Sequence, residues 1–593
     1  MPTITKNWIL PPGELLTEPI ITEGLHPILV AILAKRGIVG SQAVDRFLHP
    51  NYERDVNDPF LFDDMKKAVA RIARALENNE LIVIHGDYDA DGVCGSTLLY
   101  ELMVLLGANV EVYLPHREKE GYGMRIPTLD SLKAKGCAVI ITVDCGIANT
   151  DEVDHANTLG IDVIITDHHT EPTDPARMPK AHAIIHPRVH ADRYPFDHLA
   201  GVGSAFKFSQ ALIRTMDEPV LVERRLVARD SMGNPINWSA YEKWQLDLVA
   251  IATITDCMPL VDENRALVHY GFIVLEKTVR TGLKALMAQA GVVGQKPSAK
   301  MIGFDIGPRI NAAGRVEHAR MAFDLLTAKN NESADDLSRQ IEATNIFRRK
   351  VSTKLADEAE MAVLADIESD SPILCAYNPQ WPMGVLGLVA GRLSNKYSKP
   401  VVLCTQKGDL IEGTSRSVPG LRILEVFNRI SGVLHHYGGH AAAAGIALKE
   451  DIDFDTFRAH IVPQVKELLA STDTRPAITA DSTISLSDVS WDLVNAINQL
   501  EPFGQQNTKP IFHIKKVMIE HISVMGKSGQ HVRCTFSQEG TKRRAIGFSM
   551  GVQTADFQTG DLVDILGELD INKWNGQQEL QINLLDMRLC QKE

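Results

Sequence analysis

From Leu81 onward the chain alternates short, unbroken apolar runs with stretches of helical period. LIVIH (81–85) runs into a Gly/Asp turn and then VCGSTLLYELMVLLG (93–107), followed by NVEVYLP (109–115), AVIITV (138–143) and DVIIT (162–166). Apolar runs this short, without polar alternation, predict strands buried on both faces. Their alternation with helices predicts βαβ units and a parallel sheet. The crevice of such a sheet lies off the carboxyl ends of its strands. Residues 205–216 and 244–254 read as helices. Residues 320–365, free of Pro and Gly, read as one long connecting helix. Beyond Pro372, ILCAY, GVLGLVAGRLSNKY and PVVLC repeat strand–helix–strand up to about residue 465.

The period changes in the tail. HIKKVMIEHISVM, HVRCTFS, RRAIGFSM, LVDILGELDI and QELQINLLDM are five strand-like segments separated by Gly turns between 508 and 589. Five strands in that length favour a small barrel of the OB type. Residues 1–75 read as short helical segments broken at Pro11–Pro12, Pro27 and Pro50. The expected organisation is α/β: a helical extension (1–75), a parallel-sheet domain (76–275), connecting helices (276–365), a second α/β domain (366–470) and the barrel (471–593).

Composition narrows the class. At 593 residues, 45% hydrophobic and 23% charged, the chain is a folded multidomain protein rather than a disordered one. Its eight cysteines are scattered with no CxxC pair, which fits a reducing compartment and gives no thiolate zinc site. No run of about 18 apolar residues occurs, so a cytoplasmic protein is expected. The net charge of −14 argues against a nonspecific nucleic-acid coat. From Thr508 on, however, 11 basic residues face 10 acidic ones, so the acidity lies upstream.

Three of the apolar strands end in acidic clusters: His85-Gly86-Asp87-Tyr88-Asp89-Ala90-Asp91-Gly92, then Val143-Asp144-Cys145-Gly146, then Thr166-Asp167-His168-His169. Asp256 follows the helical LDLVAIATIT. A single strand-end Asp is ordinarily a helix cap or turn former. Asp87-x-Asp89-x-Asp91-Gly92 also opens like an EF-hand loop, but position 12 is Leu98 where a bidentate Glu is needed, and a strand precedes it. Taken together, so many acids around one crevice would repel one another unless divalent cations neutralised them. Carboxylates with imidazoles suit Mn²⁺ or Mg²⁺.

DYDADG, VDCGI and DHH in this order, with the later Asp256, resemble the DHH phosphoesterase superfamily. LAGVGSAFK (199–207), GPRINAAGR (307–315), NPQWPMGVLGLVAGRL (378–393), GGHAAAAG (438–445) and EPFGQQN (501–507) are similar to the bacterial RecJ family of single-strand-specific exonucleases, over nearly the whole chain from about residue 75. The resemblance implies a DHH catalytic domain, a DHHA1-type substrate-binding domain and an OB-fold. It implies two divalent ions, Mn²⁺ or Mg²⁺, held by His85, Asp89, Asp91, Asp144, His168 and Asp256. Asp144 would bridge the ions, and Asp144, His168 and His169 would be catalytic. Asp87 and Asp167 would stand behind the ligands and orient them, with Asp87 the alternative to His85 as a direct ligand. Two such ions about 3.5–4 Å apart lower the pKa of a water and neutralise charge on the phosphorane.

The implied activity is 5′-to-3′ hydrolysis of single-stranded DNA to mononucleotides in repair and recombination, beside a single-strand-binding protein and a RecQ-type helicase. The strand would be held by Arg309, Asn311, Arg315, Arg416 and His440, and on the barrel by Lys542, Arg543 and Trp574. Taken alone, each of these segments also reads blandly, as a structural turn, a surface ion pair or a core aromatic. Two other functions fit the superfamily: a phosphodiesterase of short oligonucleotides or cyclic dinucleotides, and a catalytically dead binding member. The first is generally shorter, and the second would have lost ligands that are present here. The chain departs from the family pattern at Pro382, His186 and Gln506, none of them an implied ligand.

Overall fold

The computed structural model describes residues 6–11, 24–189, 193–230, 232–470, 472–526, 529–574 and 576–590. The chain divides into two compact units, one of 49–350 with 502–507, the other of 1–48, 351–501 and 508–593.

The first unit is built on a five-stranded, all-parallel sheet. Its order is Asn109–Tyr113, Leu81–Gly86, Cys137–Val143, Asp162–Thr166, Ala183–Ile185. Alternate side chains of a strand point to opposite faces, and here both faces are covered. Ile82, Ile84, Val139, Ile141, Val143 and Ile164 enter one core, with Leu98, Leu102, Val202, Phe206, Val249 and Ile251 from helices Ala90–Leu105, Gly201–Arg214 and Leu246–Thr255. Val83, Ile140, Val163 and Ile165 enter the other, with Leu129, Leu132, Val153 and Ala156. Two-sided burial is why these strands read as continuous apolar runs. The first strand in sequence sits second in the sheet, with later strands on either side. The order therefore reverses between Leu81–Gly86 and Cys137–Val143, the switch point where such sheets bind ligands.

The long helix is shorter than its sequence suggests. Arg320–Leu326 is a separate helix, and the continuous one spans Asn331–Ala362, with Asn330 accepting from Ser333 N–H at its start. An Asn side chain that caps a helix start ends the preceding run.

The second unit holds a five-stranded sheet and a barrel. The sheet order is Leu434–Gly439, Ala443–Leu448, Leu410–Arg416, Val401–Lys407, Leu374–Tyr377, with helix Met383–Tyr397 packed on it. Barrel strand Ile511–Met525 pairs with both His531–Gln538 and Leu562–Trp574. Thr541–Gly547 and Gln577–Leu589 complete the ring. Closure removes the sheet edges that an open five-stranded sheet would expose. The chain start belongs here too: Asn7–Ile9 pairs in parallel with Ala477–Thr479.

Candidate metal centre

At the end of three neighbouring strands the chain makes the same small step. Asp87 N–H donates to the carbonyl of Val143 at 3.0 Å, Asp144 N–H to that of Thr166 at 2.9 Å, and Asp167 N–H to that of Ile185 at 3.3 Å. Each aspartate is thus the first residue beyond its strand, held by one more sheet-like bond to the next. This staircase lines the three acids along one edge. Asp144 has φ +61°, the left-handed region that an Asp enters more readily than most residues and that is often kept where a side chain must be aimed.

Helix starts hold the other carboxylates. Asp89 caps helix Ala90–Leu105, accepting from the Asp91 N–H at 2.9 Å and Gly92 N–H at 3.3 Å through one oxygen. Asp91 accepts from the first amides of helix Gly201–Arg214, Gly201 N–H at 2.7 Å and Val202 N–H at 2.8 Å. A Cβ on Gly201 would lie 2.6 Å from the Asp144 Cβ, which accounts for a glycine in LAGVGSAFK. Asp256 ends helix Leu246–Thr255.

His168 Nε2 lies 3.1 Å from Asp144 Oδ1, 3.5 Å from Asp256 Oδ2 and 3.9 Å from Asp91 Oδ2. Asp167 is fully buried and accepts from Ile147 N–H, His168 N–H and His169 N–H at 2.9, 2.7 and 3.1 Å, and pairs with His169 Nδ1 at 2.9 Å. It orients the two histidines through three of these contacts, and the Ile147 N–H anchors its other oxygen.

The field follows from this crowding. Burial, then Asp91 and the other acids, drives the Asp144 carboxyl well above its ordinary 3.8. Burial and Asp89 do the same to Asp87 and Asp91, and burial and Asp91 to Asp256. Burial, then the His169 charge, pushes His168 down to about 3, leaving a neutral imidazole. His169 is raised to about 9: burial opposes its charge, but the hydrogen bond and charge of Asp167 outweigh it.

Three donor sets each place their ligand atoms within 4.8 Å of one another: Asp87, Asp89 and Asp144; Asp144, His168 and His169; Asp91, His168 and Asp256. Asp87 Oδ1, Asp144 Oδ1 and His168 Nε2 are buried yet make no hydrogen bond among the described residues. Such atoms are costly unless a partner satisfies them. Oxygen-rich donors with neutral imidazole fit Mn²⁺ or Mg²⁺. In the metal-free chain, raised carboxyl pKa values contribute stability at low pH that is lost as pH climbs above the ordinary range, and a cation must displace those protons. Mn²⁺ should therefore raise the melting temperature more at pH 8 than at pH 6 in scanning fluorimetry. Equal shifts would contradict the site.

His85 lies outside the three donor sets. It is buried on its strand, ring against Tyr113 at 5.3 Å, with Nδ1 3.8 Å from Cys145 Sγ. Asp87, one step beyond the sheet, reaches the cluster instead. Asn311 Oδ1 accepts from Ala90 N–H at 2.8 Å, and a Cβ on Gly314 would meet the Tyr88 carbonyl at 2.2 Å, so GPRINAAGR braces the DYDADG loop. Arg309 is buried, with its guanidinium bonded to Glu342 at 2.6 Å and to the Asp305 carbonyl at 2.6 Å. It is held inside the protein, not presented to a phosphate. Arg315 is half-buried at the end of the same helix, close enough to act on the Tyr88 phenol.

In the second unit Arg416 ends its strand opposite Ala443, over Gly387. His440 is exposed in the turn of the hairpin Leu434–Gly439/Ala443–Leu448. On the barrel, Lys542 pairs with Glu520 at 2.9 Å, and Arg543 bonds the Val489 carbonyl. The Trp574 side chain lies outside the described residues. Sequence reasoning missed Tyr122, whose hydroxyl sits 2.9 Å from His169 Nδ1 and donates to the Asp144 carbonyl at 3.1 Å. It also missed the role of His186, whose Nε2 meets the His169 carbonyl at 2.8 Å. Tyr122 sits in no motif that marks it for the site, and His186 stood out only as a departure from the family pattern.

A parallel sheet with carboxylates and histidines gathered at its switch point, followed by a second α/β domain, defines a DHH-type phosphoesterase. Residues 81–229 match the DHH family, N-terminal domain, residues 370–467 the DHHA1 domain and residues 480–586 the RecJ OB domain. The chain belongs to the RecJ family of single-stranded-DNA-specific exonucleases. It is 34% identical to RecJ of Bacillus subtilis (strain 168), covering 95% of this chain and 69% of that protein, and 30% identical to RecJ of Escherichia coli (strain K12), covering 94% and 95%. The structure aligns with RecJ from Thermus thermophilus in complex with Mn²⁺ at a TM-score of 0.80 and 26% identity, over 99% of this chain and 80% of that one. The Mg²⁺ complex from the same organism aligns at 0.74 and 25%, over 99% and 79%.

Proposed function

We propose that the chain is a Mn²⁺- or Mg²⁺-dependent exonuclease that hydrolyses single-stranded DNA from the 5′ end to mononucleotides. The observation that supports it most is the joining of three donor sets through Asp144 and His168, with buried atoms left unsatisfied, in a chain of the RecJ family. Asp87, Asp89 and Asp144 would hold one cation, and Asp91, His168 and Asp256 with Asp144 the other. When bound, the cations supply an ionised water near neutral pH and offset charge gathering on the phosphate oxygens.

The chain's own residues do the rest. His168 is kept neutral and so is available as a ligand. His169, kept charged by Asp167, supplies a positive N–H to a nonbridging oxygen. Cys145 is buried and its thiol pushed upward by burial, which keeps it from acting as a thiolate nucleophile. GPRINAAGR fixes the ligand loop through Asn311 and Gly314. Arg315, and in the second unit Arg416 and His440, hold the strand.

The assay is direct. The full chain with Mn²⁺ should release 5′-labelled mononucleotide early from a 5′-labelled strand, release 3′ label late, and do neither in EDTA. Cleavage confined to di- to pentanucleotides would point to an oligonucleotide phosphodiesterase, and binding without turnover to a scaffold. We place the enzyme in the cytoplasm, in DNA repair and recombination beside a single-strand-binding protein and a RecQ-type helicase. Among the described residues no helix is long and apolar enough to cross a membrane.

A further inference from the structure

The barrel carries a cleft of about 510 Å³ whose walls come from two places in the chain. One wall is Trp491, the first residue of helix Trp491–Asn498, which is 44% exposed. The other is the barrel itself: Lys542, Arg543 and Arg544 from strand Thr541–Gly547, and Glu579 and Leu580 from Gln577–Leu589. The volume lies within the range of ligand clefts, roughly 300–1,000 Å³.

Arg543 assembles the cleft. Its Nε and Nη2 donate to the Val489 carbonyl at 3.1 and 2.7 Å, tying the turn before Trp491 to the barrel, and Ser490 then caps the helix. Because Arg543 bonds carbonyls, no carboxylate neutralises it among the described residues. Lys542 and Arg544 do have acidic partners, Glu520 and Glu579, each at 2.9 Å. Both cations are mostly exposed. Such surface pairs are worth little and exchange readily for a phosphate, which a guanidinium grips with two parallel bonds. Three cations against two carboxylates leave the cleft positive, in a chain whose net charge is −14.

A flat, half-exposed indole beside weakly held cations matches the two halves of a nucleotide unit. The base needs a face to stack on, and the phosphate needs an anion site within a few ångströms. An acidic peptide would use the cations but leave the indole unexplained.

We propose that this cleft seats one base–phosphate step of single-stranded DNA, the base on Trp491 and the phosphate on Arg544 and Lys542, with Arg543 as a positioning residue. The proposal rests on single-stranded DNA being the substrate. It assigns the barrel's stacking platform to a residue that precedes the barrel, rather than to Trp574.

The test is binding of a fluorescent 30-nucleotide oligo-dT to the full chain in EDTA, by anisotropy. Trp491→Ala should weaken binding by about fivefold or more, while Trp491→Phe retains most of the affinity. Arg544→Ala should lower the slope of log affinity against log salt by about 0.7, one single-strand phosphate contact. Oligo-dT should quench the wild-type indole fluorescence, and Trp491→Phe should remove that part of the quenching. Unchanged affinity in both alanine variants would overturn the proposal. So would a Trp491→Phe variant as weak as Trp491→Ala and with a lowered melting temperature, which marks a structural role, or quenching by poly-glutamate but not by DNA. Wild-type hydrolysis with Mn²⁺, run in parallel, keeps the two readings apart: Trp491-dependent binding without any cleavage removes the nuclease reading and leaves the cleft.

Discussion

Asp144→Asn should cut the rate of strand hydrolysis by about 10³-fold or more while leaving DNA affinity in EDTA within about threefold. Asn is the informative replacement because it tolerates φ +61° and keeps the side-chain shape, so the backbone step to the Thr166 carbonyl survives. It loses one thing, the charge shared between the donor sets. That charge is unfavourable without metal, since burial and the neighbouring acids hold the Asp144 carboxyl well above 3.8. The sign for stability is therefore opposite to the sign for activity. At pH 8 the metal-free variant should melt at or above the wild type, and most of the Mn²⁺-dependent rise should vanish. Hydrolysis near the wild-type rate would remove Asp144 from the centre of the mechanism. A variant that melts far below wild type would show that the loss of rate came from damage to the fold.

The sheet was legible because two-sided burial writes itself as unbroken apolar runs. LIVIH, AVIITV and DVIIT are strands Leu81–Gly86, Cys137–Val143 and Asp162–Thr166. The same rule fails for short elements: Ala183–Ile185 has three residues between His182 and His186 and gives no run. Asn7–Ile9 was unreadable for another reason, its partner being Ala477–Thr479 at the far end of the sequence. GGHAAAAG gave no period at all, since a run of alanines neither alternates nor carries a helical stripe. It is the end of one strand, the turn and the start of the return strand of a hairpin.

At the site, the acids were legible because parallel strands end together, so a motif at each end predicts convergence. What the sequence did not carry is which oxygen faces which partner. Asp91 is satisfied by the Gly201 and Val202 amides, more than a hundred residues on, and Arg309 by Glu342 on the long helix. These pairings are products of packing, and only a structure turns an arginine in a phosphate-like loop into an internal ion pair. The exchange between His85 and Asp87 has the same origin. A step of two residues at a strand end decides whether a side chain stays in the sheet or leaves it.

Asp167 should separate charge from structure. It is buried, receives three backbone N–H groups and pairs with His169 Nδ1. Asp167→Ala leaves those donors without an acceptor, at about 1–3 kcal/mol each, and should unfold the site. Asp167→Asn keeps one acceptor oxygen and the volume. It should fold, with Mn²⁺ affinity and turnover lowered about 10–100-fold because the histidines lose their orienting anion. The pair also sets a pH window. His169 is raised to about 9, so its contribution is complete below 6.5 and lost as pH rises through 9. Asp167 is held below its ordinary 3.8 because the His169 hydrogen bond and charge outweigh burial, so its contribution is present above 3.8 and lost as pH falls. The stability gap between metal-free wild type and Asp167→Asn should thus be widest between pH 3.8 and 6.5 and narrow toward pH 9 in denaturant titrations. In the variant, burial is opposed only by the weaker pull of Asp256 and Asp87, and the His169 imidazole should titrate well below about 9 by NMR. A gap that is flat with pH, or a His169 still charged at pH 8, would mean that another acid holds that proton and that Asp167 acts only through its backbone contacts.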